Sequence, residues 1–393
     1  MIFNKLLHFT FCILLTFPNL KVCPTFAQSF FNPLGLGEVV GPGFARSNAL
    51  GSPSALSPIN PGFFLNLSKT NFNISLLTGG TIGRQSNNNR AIGAVRPLSL
   101  SGGVPLPTRT KILVGIEQRF GQDFNLWSES LSNTTRYHII GRGGIYSLNA
   151  GVAQSFLSRY CIGAQFHQIW GGSKEEWQFH SGDGSIGADT IEVLYSGTTT
   201  RIGLSVSLPH SEVGTLQLAL CYDPPLNLTA RRFKHIHGVV TDSIRSYSIK
   251  LPHTVALGAV TDALGEARIN LGVELRPWSG AKIDGKELGY RNVWRWCIGI
   301  EYELLPNHPL RAGYSMGNWY CESKFSPKPI SEKGVHLGTS VPITNFGALD
   351  VAGELLFRKG ATSAGPLGET AARLILTLSY QEIWAKRTRR WGY

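Results

Sequence analysis

Beyond its N-terminal 27 residues the sequence contains no uninterrupted apolar run of the about 18 residues that a helix needs to cross a bilayer. Charge is scarce as well: 16% of the 393 residues are Asp, Glu, Lys or Arg, where a soluble domain usually carries about a quarter. Acidic residues are the scarcer sign, 25 against 37 Lys and Arg, for a net charge of +12. The basic excess is dispersed except at Lys386, Arg387, Arg389 and Arg390, so it forms no stripe for nucleic acid. A solvated tail, or contact with anionic lipid head groups, accounts for it.

Reactive constellations are missing too. Cys12 and Cys23 fall in or beside the N-terminal stretch, leaving Cys161, Cys221, Cys297 and Cys321, and none forms a CxxC pair. Isolated cysteines in an oxidising compartment could form a disulfide, but Cys161 and Cys297 sit inside strand patterns, where cysteine serves as a small apolar residue. No GxSxG elbow occurs, and in His180-Ser181 and His210-Ser211 adjacent side chains on a strand point opposite ways. His235-Ile236-His237 lacks a carboxylate or Cys companion for a metal, Asp183 and Asp189 match no EF-hand, and Thr78-Gly79-Gly80-Thr81-Ile82-Gly83 lacks the Lys of a phosphate loop. The expectation is no catalytic residue, no metal and no cofactor.

What the sequence does have is a period of two. Ile202, Leu204, Val206 and Leu208 alternate with Arg201, Gly203, Ser205 and Ser207; Ile269, Leu271, Val273 and Leu275 alternate with Arg268, Asn270, Gly272 and Glu274. Trp294, Trp296, Ile298, Ile300 and Tyr302 share a face backed by Arg295, Gly299, Glu301 and Glu303, and Ala372, Leu374, Leu376, Leu378, Tyr380 and Trp384 keep one parity near the C-terminus. Alternation puts two different solvents on the two faces of a sheet, and lipid outside with water inside is one such arrangement. A soluble sandwich also alternates, but loop lengths argue for a barrel. Short connections near Leu304 to Pro309, Thr261 to Ala267, Pro209 to Gly214 and Pro342 to Ala348 take turns with long ones near Asp223 to Arg245, Gly171 to Thr190, Pro277 to Asn292 and Tyr320 to Lys333. The pattern predicts an all-β transmembrane antiparallel barrel of about fourteen strands with both ends on one side. Lys5, the apolar Leu6 to Phe17 and the small-residue site Thr25-Phe26-Ala27 read as an export signal cut after Ala27.

The stretch from Ala45-Arg46-Ser47 through Ser57-Pro58-Ile59-Asn60-Pro61-Gly62 resembles the start of the FadL/TodX-like outer-membrane transport family and its PorV-type relatives, where Asn-Pro-Ala-Gly precedes the first strand; here the intervening Ala is missing. Ile202-Gly203-Leu204-Ser205, Tyr222-Asp223-Pro224-Pro225, Leu251-Pro252-His253 and Gly299-Ile300-Glu301-Tyr302 follow the family's order. The resemblance implies fourteen strands, an N-terminal plug inside the lumen and passage of hydrophobic small molecules.

The expected organisation is therefore a signal over residues 1–27, a plug over 28–62, a barrel over 63–384 and a basic periplasmic tail over 385–393. Phe30, Phe31, Leu34, Leu36, Phe44, Asn60 and Pro61 are the plug or ligand candidates, because an apolar Gly- and Pro-rich segment needs burial and a lumen offers it; a periplasmic leader is the alternative. Glu117, Arg119, Glu274, Arg295, Glu301, Asp350, Glu354, Arg358 and Arg373 carry the inward parity, since charge facing lipid would cost too much. They would either pair and stiffen the wall or orient a ligand head group. The expected partners are outer-membrane lipid and lipopolysaccharide, a hydrophobic ligand, and the barrel-assembly machinery during biogenesis, with no nucleic acid. The alternatives are a PorV-type interaction barrel and a porin-like diffusion channel.

Overall fold

The computed structural model describes residues 29–33, 35–51, 54–85, 88–129, 135–181, 186–210, 214–236, 239–240, 245–306, 308–321, 329–344, 347–362 and 365–382. The export signal, Trp384 and the basic tail lie outside the described residues. Fourteen antiparallel strands close into a barrel. They are β1 (Thr70–Gln85), β2 (Asn88–Pro105), β3 (Thr110–Gly121, continued by Phe124–Glu129), β4 (Thr135–Phe156), β5 (Tyr160–Ser181), β6 (Ile186–His210) and β7 (Gly214–Asp223, continued by Leu226–Ile236). The second half is β8 (Arg245–Leu251, continued by Thr254–Leu264), β9 (Ala267–Arg276), β10 (Val293–Leu305), β11 (His308–Asn318), β12 (Ser331–Thr344), β13 (Gly347–Thr362) and β14 (Gly365–Glu382). β14 pairs with β1, Thr70 opposite Glu382, which closes the ring and puts the termini of the strand series, the start of β1 and the end of β14, at one rim. The first strand begins at Thr70, after Pro61–Asn66, which forms a 3-10 turn capped by the Asn60 side chain.

The burial pattern is inverted relative to a soluble protein. Ile202, Leu204 and Leu208 are exposed while Arg201 and Ser205 are buried; Leu271, Val273 and Leu275 are exposed while Asn270 and Glu274 are buried. Apolar side chains therefore face lipid. Aromatics mark both edges of this band: Phe156, Tyr160, Tyr302 and Tyr380 towards the rim with the termini, and Trp170, Trp294 and Trp296 towards the opposite mouth.

All four short connections fall at the rim with the termini. Two of the long ones differ from expectation. Residues 171–181 and 226–236 are strand, extending β5 and β7 and their partners. β4 and β5 have 22 residues each, roughly 70 Å, whereas 9 to 11 residues span a bilayer. The surplus stands in water, where both faces are solvated, so alternation disappears, as in Lys174-Glu175-Glu176, and the segment resembles a loop in sequence.

Candidate functional site

β2 pairs with β3 only over Ser99–Pro105, against Glu117–Lys111. Among the described residues, its other part, Asn88–Pro97, pairs with β1 alone. The cause is local. A bulge places Ser99 opposite Ser75 but Pro97 opposite Leu76, so Leu98 and Ser99 both turn inward, and Pro97 has no N–H to offer. The free edge of β3 is taken instead by a short strand from inside, Glu38–Val39, with Val39 opposite Phe120 and Glu38 opposite Gly121. The Val40 N–H donates to the Arg119 carbonyl at 3.0 Å. The N-terminal segment thus covers a seam in the wall.

That segment runs the length of the lumen. Near the mouth, Phe31 packs edge-on against Trp319, and Ser29 Oγ donates to Glu369 at 2.8 Å. Tyr320 clamps the next residues: Leu36 N–H donates to its hydroxyl at 2.8 Å, and that hydroxyl donates to the Gly37 carbonyl at 2.7 Å. Trp278 stacks on Tyr320 with centroids 4.1 Å apart. Burial raises the Tyr320 phenol well above its ordinary value, so it stays a donor. Lower down, helix α1 (Ala45–Ala49) is anchored by Ala45 N–H to Thr377 Oγ1 at 2.8 Å, and Arg46 pairs with Glu301 at 3.0 Å. At the rim with the termini, Asn60 is fully buried. Its amide donates to the carbonyls of Ala55 and Leu220 and accepts from Gly62 N–H. Gly163 and Gly203, directly opposite each other on β5 and β6, form the hollow for this turn: a Cβ at Gly163 would lie 2.7 Å from Pro61, and one at Gly203 would collide with Asn60.

Of the plug candidates, Phe31, Leu36, Phe44, Asn60 and Pro61 are buried and Phe30 is half-buried, whereas Leu34 lies outside the described residues. The charged candidates form networks. Glu117 meets Arg201 at 3.1 Å, and Arg119 reaches Asp223 at 2.7 Å, which also binds Arg201. Glu301 bonds Arg311 at 2.6 Å, which reaches Asp350 at 3.4 Å. Glu274 pairs with Arg276 and Glu354 approaches His336. Arg358 is 1% exposed and holds Glu332 at 2.7 Å, Glu369 at 2.6 Å and Glu38, while Arg373 holds Glu38 at 2.7 Å. Arg295 donates to Ser315 at 3.4 Å. Glu38, Arg201, Asp223, Arg311, Glu332 and Glu369 were absent from the candidates. The inward parity of Arg201 was readable, and Glu38 is the one acidic residue between positions 28 and 60.

Two narrow cavities, of about 80 and 40 Å³, flank the Glu38–Val39 strand. The larger has Val39, Val40, Leu98, Phe120 and Trp278 over a floor of Glu117, Arg119, Arg201 and Asp223. Cys161, Cys221, Cys297 and Cys321 are buried, and none is in a disulfide among the described residues. No cluster of three metal-ligating side chains occurs among the described residues.

The family model of BamG matches residues 25–390. By sequence, no curated protein matches the chain. By structure, it is similar to the toluene transporter TodX of P. putida, with a TM-score of 0.62 and 16% identity over 88% of this chain and 99% of that one. The Ralstonia pickettii toluene transporter TbuX gives a TM-score of 0.60 at 14% identity, covering 88% and 99%. A Pseudomonas aeruginosa FadL homologue gives 0.56 at 13%, covering 91% and 99%. At such identities the likeness establishes the FadL-type barrel fold.

Proposed function

The chain belongs to the BamG family, and on that premise we propose that it is a bacterial outer-membrane barrel that passes hydrophobic small molecules sideways through its wall, at the seam between β2 and β3. The observation that carries this reading is the seam, left unpaired by the wall and covered by Glu38–Val39. A barrel that only needed to be tight would zip β2 to β3 throughout, since closure satisfies backbone polar groups against lipid. In this reading residues 28–62 are a plug, the rim with the termini faces the periplasm, and residues 385–393 are a basic tail there. Leu98, Phe120, Val39 and Val40 line the apolar route, and the paired carboxylates and arginines below hold the wall in shape rather than conduct ions. Toluene transporters and a monoaromatic hydrocarbon channel of the same fold support the substrate class. No step of the reading requires chemistry on the ligand.

The test is a cysteine pair, Val39→Cys with Phe120→Cys, which register places directly opposite each other. Oxidation should stop uptake of labelled fatty acids and small aromatics, and reduction should restore it. Uptake unchanged by the lock would refute the seam as the route.

A second reading is favoured by the filled lumen and by the family match: an interaction barrel serving a surface-assembly or secretion machine. The family's name points to barrel assembly. Stable cell-envelope partners recovered with the full chain, together with no solute flux, would support it over transport. The porin-like alternative predicts ion conductance through a lumen that the N-terminal segment fills along its length.

A further inference from the structure

At the mouth opposite the termini a vestibule of about 470 Å³ opens into the lumen, within the size range of small-ligand pockets. Its charges differ from those deeper down. Arg232 on β7 stands directly opposite Arg245 on β8, and both line the vestibule. Like charges placed directly opposite on paired strands repel. Among the described residues neither is within ion-pair distance of a carboxylate, although arginines deeper in the lumen, such as Arg201, Arg311 and Arg358, hold two or more.

Two acids, Glu175 and Asp284, also line the vestibule, beyond ion-pair distance of both arginines. Glu175 accepts from the Trp177 indole at 3.4 Å, and Asp284 accepts from Ser248 N–H at 2.8 Å. Arg232 and Arg245 share the inward parity of Ala230 and Tyr247, so a lipid outside the wall cannot reach them. With no carboxylate in contact, the pair is open to an anion from solution.

A second observation gives the rest of the ligand. Asn32 and Gln122 also line the vestibule, 2% and 6% exposed, and their side-chain carbonyl oxygens have no hydrogen-bond partner among the described residues. Asn32 is held by its amide to the Asp123 carbonyl at 2.8 Å, which fixes its oxygen as the free atom. Beside them the Tyr195 hydroxyl makes only long contacts, 3.4 Å to Gln122 and 3.5 Å to Ser173. The site thus offers guanidinium groups for an anion and several acceptors for hydroxyl donors.

We propose that this vestibule is a binding site for a small soluble sugar bearing an acidic group, the anion bridging Arg232 and Arg245 and the sugar hydroxyls donating to Asn32 and Gln122. Guanidinium groups suit phosphate and carboxylate geometry, and a polyol is rich in the donors that two free amide oxygens lack. The site is distinct from the seam and holds whether or not the barrel transports apolar compounds.

The experiment is calorimetric titration of the full chain in nanodiscs with glucose 6-phosphate, glucose and inorganic phosphate. Glucose 6-phosphate should bind at least about tenfold more tightly than either of the others and lose affinity as salt is raised. R232Q/R245Q should weaken it at least about tenfold while leaving the unfolding temperature the same or higher, since a repulsive pair is removed. Q122L should weaken glucose 6-phosphate but not phosphate. No binding of glucose 6-phosphate, equal binding by the double variant, or phosphate binding as tightly as the sugar phosphate would each overturn the proposal.

Discussion

Glu38→Gln should release the N-terminal segment from the wall. The carboxylate is 4% exposed and takes Arg373 on both oxygens at 2.7 Å, besides Arg358. Arg358 keeps Glu332 and Glu369 when Glu38 is neutralised, so the loss falls mainly on Arg373, which has no other carboxylate within ion-pair distance among the described residues. Removing one partner of a buried pair costs about 3 to 5 kcal/mol, and glutamine retains one acceptor, so the lower end applies. Three kcal/mol corresponds to about a 150-fold change in the opening equilibrium. Hydrogen exchange read by mass spectrometry should show amides of residues 36–41 exchanging about 100-fold faster in the variant, with the β5–β6 hairpin unchanged. Unchanged exchange over 36–41 would refute the latch. Acid should act in the same direction. Burial alone would raise the Glu38 carboxyl, but Arg358 and Arg373 outweigh it and hold the carboxyl below its ordinary value of 4.5. A lowered carboxyl stabilises fully above that value and loses its contribution as pH falls through the depressed one, so exchange over 36–41 should accelerate only below about pH 4.5.

Gly203→Val should unseat the Asn60 turn, because its Cβ would collide with Asn60 and stand beside Pro61; overpacking of about 1 to 3 kcal/mol should appear as protease cleavage between residues 50 and 66 that the unsubstituted protein resists. Arg201→Met should lower the unfolding temperature of the purified barrel far more than Arg268→Met, since it leaves Glu117 and Asp223 to share Arg119 alone among the arginines, whereas Arg268 is half-exposed; with Arg119 retained the loss falls at the lower end of about 3 to 5 kcal/mol, and equal shifts would contradict it. Cys321 is buried and its thiol is pushed up to about 12 by burial, so the folded protein should resist maleimide at pH 8 and react after denaturation; rapid labelling of the native state would refute the clamp around Tyr320.

The N-terminal segment shows where sequence reading stops. Its apolar residues and the Asn60-Pro61-Gly62 turn were visible as a segment in need of burial, but not what receives them: Gly163 and Gly203 lie about 100 and 140 positions away and become a hollow only once β5 and β6 pair. Glu38 gives no signal in the sequence for the same reason. A lone acid in an apolar stretch has no local partner, and Arg358 and Arg373 approach it only across the closed lumen.

Alternation along each strand is a local property, set by the two-residue pleat and by which solvent each face meets. It was therefore sufficient for the barrel, its strand number, the short turns and the inward charges. The long extensions at 171–181 and 226–236 escaped because water on both faces erases alternation while backbone pairing continues. The seam between β2 and β3, the strand that covers it, and the opposed arginines at the mouth depend on register between strands. Register is fixed by hydrogen bonds between residues far apart in the chain, and only the closed tertiary structure decides it.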